Sequence, residues 1–397
     1  MSEETQSGPV AGGPLWRDGV WRAVTAAFLF NGLLFGVWAS RVPAFKERFD
    51  LEPGALGLLL LALAAGAIVS FPLAGALSEK WGADRLTLRC GWVYGPVLVG
   101  LALAPGPVSL GAALFLFGAV HGSMDVAMNG WGAQCEDRLK RSTMSVFHAM
   151  FSLGAGIGAA SGYVAVRSGL EPQVHFIIVA FAGGLTAVAI MIPAVQERVA
   201  ATPDNTSGPL LALPTGPLVL IGLIAFTASM GEGAIADWSA VFLRTAVGSG
   251  KAQAALGYAT FSVTMVLVRL SGGRLVERFG PVVTTRASAA SAFAGLTTVV
   301  LGQTPIVVLG GFALVGAGYA VLMPLAFSRA ARDAHVAPGP AIAAVATLGY
   351  GGLLLGPPVI GFVAQMTGLR LSFVLLALLA LLAFALAPAL RTSGPRD

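Results

Sequence analysis

Long apolar segments separated by short polar segments recur along the whole 397-residue chain. A helix that crosses the hydrocarbon core of a bilayer needs about 20 mostly apolar residues, and each of these segments has that length. The pattern therefore predicts an all-α membrane protein with twelve transmembrane helices, at about residues 20–41, 54–77, 84–104, 108–131, 142–167, 172–193, 215–241, 252–275, 282–302, 305–328, 338–365 and 370–390.

The second half of the chain repeats features of the first half at a nearly constant interval. Residues 75–82 read G-A-L-S-E-K-W-G and residues 273–280 read G-R-L-V-E-R-F-G, an offset of 198. Matches at offsets of 200 and 199 are Trp38 with Trp238, Leu56-Gly57 with Leu256-Gly257, Gly162 with Gly361, and Gly169-Leu170 with Gly368-Leu369. Because the matches keep the same order, they predict two pseudo-symmetric six-helix bundles. Such duplicated bundles let a transporter rock one half against the other.

Three polar segments set the predicted domain boundaries. Residues 1–19 are rich in Ser, Glu, Gly and Pro and are predicted to be a disordered cytoplasmic tail. Residues 194–214, rich in Pro, Thr, Asn and Ala, are predicted to be a cytoplasmic linker that divides the helices six and six. The bundles then comprise residues 20–193 and 215–391, and residues 392–397 form a second cytoplasmic tail.

Composition supports the membrane assignment, and the distribution of charge predicts its orientation. Hydrophobic residues make up 56% of the chain and charged residues 11%, and the mean hydropathy is +0.81. Sixteen of the 24 Lys and Arg residues fall on the side of the N-terminus, seven fall on the opposite side, and Arg269 lies within a span. By the positive-inside rule, both termini are predicted to be cytoplasmic, in a multi-pass protein of the cytoplasmic membrane. The net charge of +5 therefore does not require a nucleic-acid partner.

The two repeated loops resemble the loop signature of the major facilitator superfamily, Gly-x-x-x-Asp-Arg-x-Gly. Each loop follows the second helix of its half, where that signature belongs. This chain departs from the signature by carrying Glu79 and Glu277 where the family commonly has Asp. The resemblance implies that these acids and the neighbouring bases Lys80 and Arg278 are gate candidates, with acid–base pairing between them.

Further motifs resemble the YbjJ-like branch of the superfamily, which is related to fucose permease. The resemblance implies the major facilitator fold, with a central cavity and alternating access. It implies no particular substrate, and we expect a monomer. The motifs are W-A-S-R-V-P-A-F at 38–45, D-V-A-M-N at 125–129, H-A-M-F-S-L-G at 148–154, G-E-G-A-I-A-D-W at 231–238 and G-P-P-V-I-G at 356–361.

The fourth predicted helix carries a polar stripe. His121, Asp125 and Asn129 are spaced at i, i+4 and i+8, which places them on one helix face. An ionisable group inside the bilayer is costly and usually faces a cavity or a partner. We expect Asp125 to gain and lose a proton, while His121 and Asn129 tune it or bind the cargo. The alternative is a hydrogen-bonded cluster between helices with no transport role.

The seventh predicted helix carries two acids. Glycines flank Glu232 at 231–233 and predict a bent or unwound segment, because each glycine weakens a helix by about 1 kcal/mol. We expect Glu232 to face the cavity as a second proton-coupling candidate. Asp237 is expected to pair with Arg41 or Arg244 as an outer gate, against the alternative of a solvated helix end.

Four other side chains are weaker candidates. Asn31 is predicted to face the cargo from the first helix, and Trp38 either to line the cavity or to anchor the helix at the membrane surface. Tyr319 is a cavity candidate whose alternative is packing. Arg269 is expected to snorkel toward the surface or to pair with an acid such as Glu277.

The predicted function is that of a proton-coupled secondary active transporter for a small solute, in the manner of a symporter. The chain has no G-x-x-x-x-G-K-[ST] loop, so ATP hydrolysis is not expected to drive it. We expect no metal, no cofactor and no enzymatic activity. The alternatives are drug or metabolite efflux by proton antiport and, from a different class, a receptor or scaffold that does not transport.

Overall fold

The computed structural model describes residues 14–141, 143–195, 214–333, 335–336 and 338–391. Most of the predicted tail 1–19, most of the linker 194–214 and all of the tail 392–397 therefore lie outside the described residues. The described end of the first tail is partly helical, since Leu15–Arg17 form a 3₁₀ turn. Asp18 then caps the first long helix by accepting a hydrogen bond from the Trp21 amide at 2.8 Å.

The described residues form an all-helical structure. Its helices are α1 (Gly19–Arg48), α2 (Pro53–Trp81), α3 (Ala83–Leu103), α4 (Pro107–Leu139), α5 (Met144–Arg167), α6 (Pro172–Met191), α7 (Pro217–Thr245), α8 (Lys251–Leu301), α9 (Pro305–Tyr319), α10 (Leu322–Ala330), α11 (Pro338–Thr367) and α12 (Leu369–Leu386). Within these residues, eleven helical segments are long and apolar enough to cross a membrane, with α9 and α10 counted together.

The 51-residue helix α8 accounts for the difference from the predicted twelve spans. Its backbone leaves the helical conformation at Gly280, where φ is 76°, so α8 consists of two spans joined by a tight turn. Counted in this way, the described residues make twelve crossings. Large apolar side chains such as Leu58, Val69, Phe181 and Leu267 are exposed on the outer faces of the helices. Lipid tails would cover such faces.

Equivalent turns in the two halves have equivalent backbones. Gly82, between α2 and α3, has φ 96°, and its counterpart Gly280 has φ 76°. Gly169, before α6, has φ 70°, and its counterpart Gly368, before α12, has φ 85°. Only glycine adopts these values of φ without strain. The matches seen in the sequence thus coincide with positions where the chain reverses direction.

Glycine also allows helices of one half to pack at backbone distance. A Cβ atom on Gly36 of α1 would overlap the carbonyl oxygen of Ala155 in α5, and one on Gly158 of α5 would overlap the carbonyl oxygen of Leu33 in α1. Small residues at helix interfaces permit this close approach in membranes. The α1–α5 contact is among the most extensive in the molecule.

The two halves meet through α5 with α8, α2 with α11, and α1 with α7 and α8. Their closest approach lies at the end of the bundle that holds the α1–α2 connection, here called the α1–α2 end. There the Gly54 amide donates to the Gln365 side chain at 2.8 Å, and a Cβ atom on Gly361 would lie 2.9 Å from the Gly57 Cα atom.

The opposite end, here called the α2–α3 end, is built differently. Within the described residues, α4 and α10 pack against helices of their own half, and no packed interface joins one to the other. His148, near the start of α5, and Tyr350 of α11 are exposed. In the part of the chain that the structure describes, helices α4 and α10 therefore leave the halves without the contact that would join them at the α2–α3 end.

The Gly36→Ala variant is expected to lose about 1–3 kcal/mol of unfolding free energy, the usual range for overpacking, because the new methyl group must push α1 away from α5. Thermal unfolding of the purified protein in detergent measures this loss. The matched control is Gly100→Ala in α3, where no atom lies within 4 Å of the added Cβ. Equal melting temperatures for the two variants would contradict the packing account.

Candidate functional site

The polar stripe of α4 forms as the spacing predicts. The Asn129 amide group donates to the Asp125 backbone oxygen at 2.8 Å and to its Oδ1 at 3.2 Å. The Tyr94 hydroxyl lies 2.8 Å from His121 Nδ1. Asp125 takes part in no ion pair among the described residues. Its carboxylate is therefore stabilised by an amide and not by a positive charge.

Helix α1 closes one side of the stripe. Asn31 is fully buried, its Nδ2 lies 3.4 Å from the His121 backbone oxygen, and its Oδ1 has no partner among the described residues. Phe35 stacks on the His121 ring at 5.2 Å and meets the Tyr258 ring of the other half edge-on at 6.1 Å. The stripe thus lies where the two halves face each other.

Aromatic rings continue this contact on the side of α2 and α11. Phe71 and Tyr350 meet edge-on at 5.4 Å across the halves. A Cβ atom on Gly122, one turn before Asp125, would lie 2.9 Å from the Phe71 ring. Tyr350 is also close enough to Asp125 for the two groups to interact electrostatically. Asp125 therefore lies near side chains of both halves, Asn129 in the first and Tyr350 in the second.

The second polar centre is built around Arg269 of α8. Its Nη2 lies 3.4 Å from Glu232 Oε2 of α7, its Nη1 donates to the Ser152 hydroxyl of α5 at 2.6 Å, and its Nε donates to the Ala320 backbone oxygen at 3.3 Å. Ser152 belongs to the first half and the other partners to the second half. One guanidinium group therefore links the two halves.

The Ala320 carbonyl is free to accept this hydrogen bond because of a proline. Pro324 has no N–H group and its ring clashes with the carbonyl four residues earlier, which is that of Ala320. The tenth span is accordingly interrupted between Tyr319, where α9 ends, and Leu322, where α10 begins. Arg269 Nε donates the hydrogen bond to the Ala320 oxygen that the N–H of residue 324 would donate in a regular helix.

The predicted unwinding around Glu232 is wrong. Helix α7 is continuous from Pro217 to Thr245, and the interruption lies in the tenth span instead. The glycines beside Glu232 serve close packing: a Cβ atom on Gly231 would overlap the Tyr319 ring, and one on Gly233 would lie 3.0 Å from Leu353. Tertiary contacts hold this segment helical against its weak intrinsic propensity.

Tyr319 is buried beside this centre. Its ring packs where Gly231 leaves room, it is 1% exposed, and its hydroxyl has no hydrogen-bond partner among the described residues. An unpartnered buried hydroxyl is uncommon and calls for an explanation. Tyr319 thus lies at the polar centre with an unused donor and acceptor.

Arg269 pairs with an acid, which is one of its two predicted alternatives, but this acid is not Glu277. Glu277 is exposed two turns further along α8, whereas Arg269 pairs with Glu232. The sequence contained a signal for this arrangement, because Arg269 lies deeper within a predicted span than any other basic residue, and the proline at 324 marks an unpaired carbonyl. Neither signal identifies the partner, since the pair is formed between different helices.

The predicted pairing of Asp237 with Arg41 or Arg244 does not occur. Asp237 is 5% exposed and its Oδ1 has no partner among the described residues. Arg41 donates to the Leu170 backbone oxygen, and Arg244 donates from Nε to Glu47 Oε1 at 2.7 Å. Both arginines are therefore engaged elsewhere, and Asp237 is buried, which also excludes a solvated helix end.

Glu47 is the acid that joins the halves at the α1–α2 end, and the sequence analysis missed it. Its carboxylate is bound by Arg244 at 2.7 Å and by Lys251 at 2.8 Å. Glu47 ends α1 in the first half, while both bases belong to the second half. A separation of about 200 residues along the chain hides such a pair from local sequence patterns.

The signature loops form no pairs in this structure. Glu79, Lys80, Glu277 and Arg278 are all exposed, and none of them takes part in an ion pair among the described residues. The acid–base pairing that the resemblance implied is therefore absent at this end of the molecule. This agrees with the separation of the halves at the α2–α3 end.

Trp38 is fully buried, which excludes the alternative of an anchor at the membrane surface. Its ring packs 5.2 Å from the Phe45 ring, and its indole N–H has no partner among the described residues. Its counterpart in the repeat, Trp238, is also fully buried and donates to the Pro357 backbone oxygen at 3.0 Å.

Comparison with known proteins identifies the family of this fold. The family model of the Major Facilitator Superfamily matches residues 26–338 and 221–397. The chain belongs to this superfamily, and it is therefore a membrane-embedded transporter of a small-molecule substrate and not an enzyme. The superfamily part of the predicted resemblance is confirmed.

Three relatives cover most of the chain. An uncharacterized transporter of Sinorhizobium fredii is 45% identical over 94% of this chain and 98% of its own length. An uncharacterized transporter of the same superfamily from Yersinia pestis is 34% identical over 89% and 91%. Membrane protein MosC of Rhizobium meliloti is 30% identical over 87% and 84%.

Solved structures share the fold at low sequence identity. A bacterial homologue of the human lysosomal transporter Spinster, in an inward-facing and occupied conformation, superimposes with a TM-score of 0.75 at 14% identity, covering 96% of this chain and 97% of its own. The nucleoside transporter NupG gives a TM-score of 0.70 at 16% identity, covering 95% and 100%. The predicted all-α fold is confirmed.

The Glu47→Gln variant is expected to loosen the α1–α2 end, because it removes both ion pairs that Glu47 forms between the halves. Ala255, buried near the start of α8 beside Gly162 of α5, provides the reporter as Ala255→Cys. Its reaction with a maleimide should be several-fold faster in the Glu47→Gln background.

Asp50→Asn is the matched control, since Asp50 is an exposed acid of the same connection without an ion pair among the described residues. The two native cysteines are buried and contribute little background. An unchanged labelling rate in Glu47→Gln would show that the two ion pairs do not hold this end closed.

Proposed function

We propose that the chain is a proton-coupled secondary active transporter that moves a small polar solute across the cytoplasmic membrane by alternating access. The observation that carries this proposal is the position of Arg269, which binds Glu232 in its own half and Ser152 in the other. Asp125 supplies a second acid from the first half. Each half therefore brings one titratable group to the space between them.

Asp125 is the better candidate for the coupling proton. A carboxylate removed from water must be neutralised or strongly hydrogen-bonded, and the described partner of Asp125 is the Asn129 amide. A proton can therefore supply the missing stabilisation. If the proton binds and leaves on opposite sides of the membrane, it biases the populations of the two conformations.

The unequal contacts at the two ends support alternating access. Glu47, Gln365 and the Gly57–Gly361 approach hold the α1–α2 end together, whereas the halves are apart at the α2–α3 end. Rocking one duplicated bundle against the other would break the first set of contacts and bring the second end together. The exposed signature loops lie where the second end would close.

The orientation is proposed from the distribution of basic residues. The α2–α3 end carries most of them, so by the positive-inside rule it faces the cytoplasm, and the structure is then open to the inside. The motif set quoted above supports placement in the YbjJ-like branch related to fucose permease. Asn31, His121, Asn129, Trp38 and Tyr319 remain the proposed substrate-cavity residues of a monomer.

Orientation can be measured with two single-cysteine variants, Glu79→Cys at the α2–α3 end and Glu52→Cys at the α1–α2 end, both of which are exposed positions. In intact cells, a membrane-impermeant maleimide is expected to label position 52 and to reach position 79 only after the membrane is permeabilised. Each variant is the control for the other, and the reverse pattern would invert the proposed topology.

The proton role of Asp125 is tested in liposomes that contain the purified chain. With an imposed pH gradient, the wild type is expected to accumulate at least one solute from a panel of sugars, amino acids, carboxylates and drugs. Asp125→Asn is expected to reach a much lower gradient-driven accumulation and to retain exchange, because the amide cannot bind the proton that Asp125 carries.

Asp137→Asn is the control, since it makes the same substitution at an exposed position of the same helix. Full accumulation by Asp125→Asn would remove Asp125 from the coupling mechanism. The direction of solute movement relative to the proton distinguishes symport from the antiport alternative in the same assay.

A further inference from the structure

The guanidinium group of Arg269 is held in place but not saturated. It has five N–H donors, and the described partners are the Ala320 oxygen, the Ser152 hydroxyl and Glu232. The contact with Glu232 is a single one of 3.4 Å, whereas charge-assisted N–H···O bonds are usually about 2.7–2.9 Å. The Nη1–Nη2 edge therefore retains unused donors.

The environment of the Arg269 guanidinium is partly open and contains another group without a hydrogen-bond partner among the described residues, the Tyr319 hydroxyl. The side chains of Arg269 and Glu232 are 13% and 25% exposed, so neither is sealed from the space between the halves. The Tyr319 hydroxyl, unpartnered and buried, lies beside Gly231. Ser152, which binds Nη1, also hydrogen-bonds the backbone oxygen of exposed His148 one turn earlier.

We propose that the transported solute carries a carboxylate, and that this carboxylate binds the Nη1–Nη2 edge of Arg269 in place of Glu232. This inference rests on the proposed transport function and names the class of its substrate. Arginine stays charged at all relevant pH values, and its planar fork matches a carboxylate through two parallel hydrogen bonds. The contact with Glu232 is the longest of the three that position Arg269.

Displacement of Glu232 from Arg269 links binding of the solute to the uptake of a proton by Glu232. Two carboxylates beside one guanidinium repel each other, and one proton on Glu232 removes that repulsion. The net charge of the centre is then the same before and after binding: a cation and an anion at first, and a cation, an anion and a neutral acid afterwards. A monocarboxylate would thus enter together with one proton, in addition to any proton carried by Asp125.

Several other titratable groups interact electrostatically with the centre formed by Arg269 and Glu232. Tyr258, in the same helix as Arg269, interacts with both Glu232 and Arg269, and His148 interacts with Arg269. Asp237 lies further along α7 and faces Tyr258. Arg269 contacts Glu232 of its own half and Ser152 of the other, and this position lets one ligand contact both halves.

The test measures binding and uptake by the full-length chain for propionate, lactate, succinate and benzoate, each beside its uncharged amide. Carboxylates are expected to bind and to be accumulated in preference to their amides. Arg269→Gln is expected to weaken carboxylate binding by about ten- to a hundredfold, the usual loss for hydrogen bonds to a charged group. Arg274→Gln, at an exposed position of the same helix, is expected to behave as the wild type.

Glu232→Gln separates binding from coupling. It is expected to keep carboxylate binding, because Arg269 remains, and to lose the proton that Glu232 contributes, so that fewer protons enter with each carboxylate, as read by a pH-sensitive dye inside the liposomes. A wild type that prefers the amides, other neutral solutes or amines would overturn the proposal without need of any variant. So would an Arg269→Gln protein that folds and keeps its preference for carboxylates.

Failure of the proposed function gives a different result. Carboxylates could raise the melting temperature of the wild type but not of Arg269→Gln, while no solute of any class is accumulated. That result would support carboxylate binding at Arg269 and contradict the proposed transport function. If a neutral solute is accumulated under a pH gradient and carboxylates do not change the melting temperature, the result supports the transport function and contradicts carboxylate binding at Arg269.

Discussion

The structure depends on one constraint, which is that a charge within the membrane must find its partner inside the protein. Arg269 satisfies this constraint with groups from three different elements: a carboxylate of α7, a hydroxyl of α5 and a backbone carbonyl. The carbonyl is available only because Pro324 interrupts the tenth span. A local defect in one helix therefore helps to position a side chain that joins the two halves.

Close backbone packing makes this arrangement possible. Helices of one half meet through glycines, as α1 and α5 do at Gly36, and the halves themselves meet at Gly57 and Gly361. Interfaces of this kind hold the helices of each half together, whereas a second group of contacts, the polar ones at the α1–α2 end, would separate when the halves rock. The ion pairs of Glu47 belong to this second, separable group.

Local features of the chain were predictable where they depend on local physics. Span positions follow from segment length, and the turns at Gly82 and Gly280 follow from residues that tolerate positive φ. The stripe of His121, Asp125 and Asn129 follows from helical periodicity alone. The error at Glu232 arose because intrinsic propensity indicates unwinding there, whereas Tyr319 and Leu353 pack against the flanking glycines and keep α7 helical.

The sequence by itself determined the number of spans, the duplication, the superfamily and the presence of Asp125 and Glu232 within the spans. Tertiary structure decided the partners: Glu232 with Arg269, Glu47 with Arg244 and Lys251, and neither Arg41 nor Arg244 with Asp237. The physical reason is that periodicity fixes which face of a helix a residue occupies. Which helix that face meets depends on how twelve spans pack, and charges more than a hundred residues apart become neighbours only then.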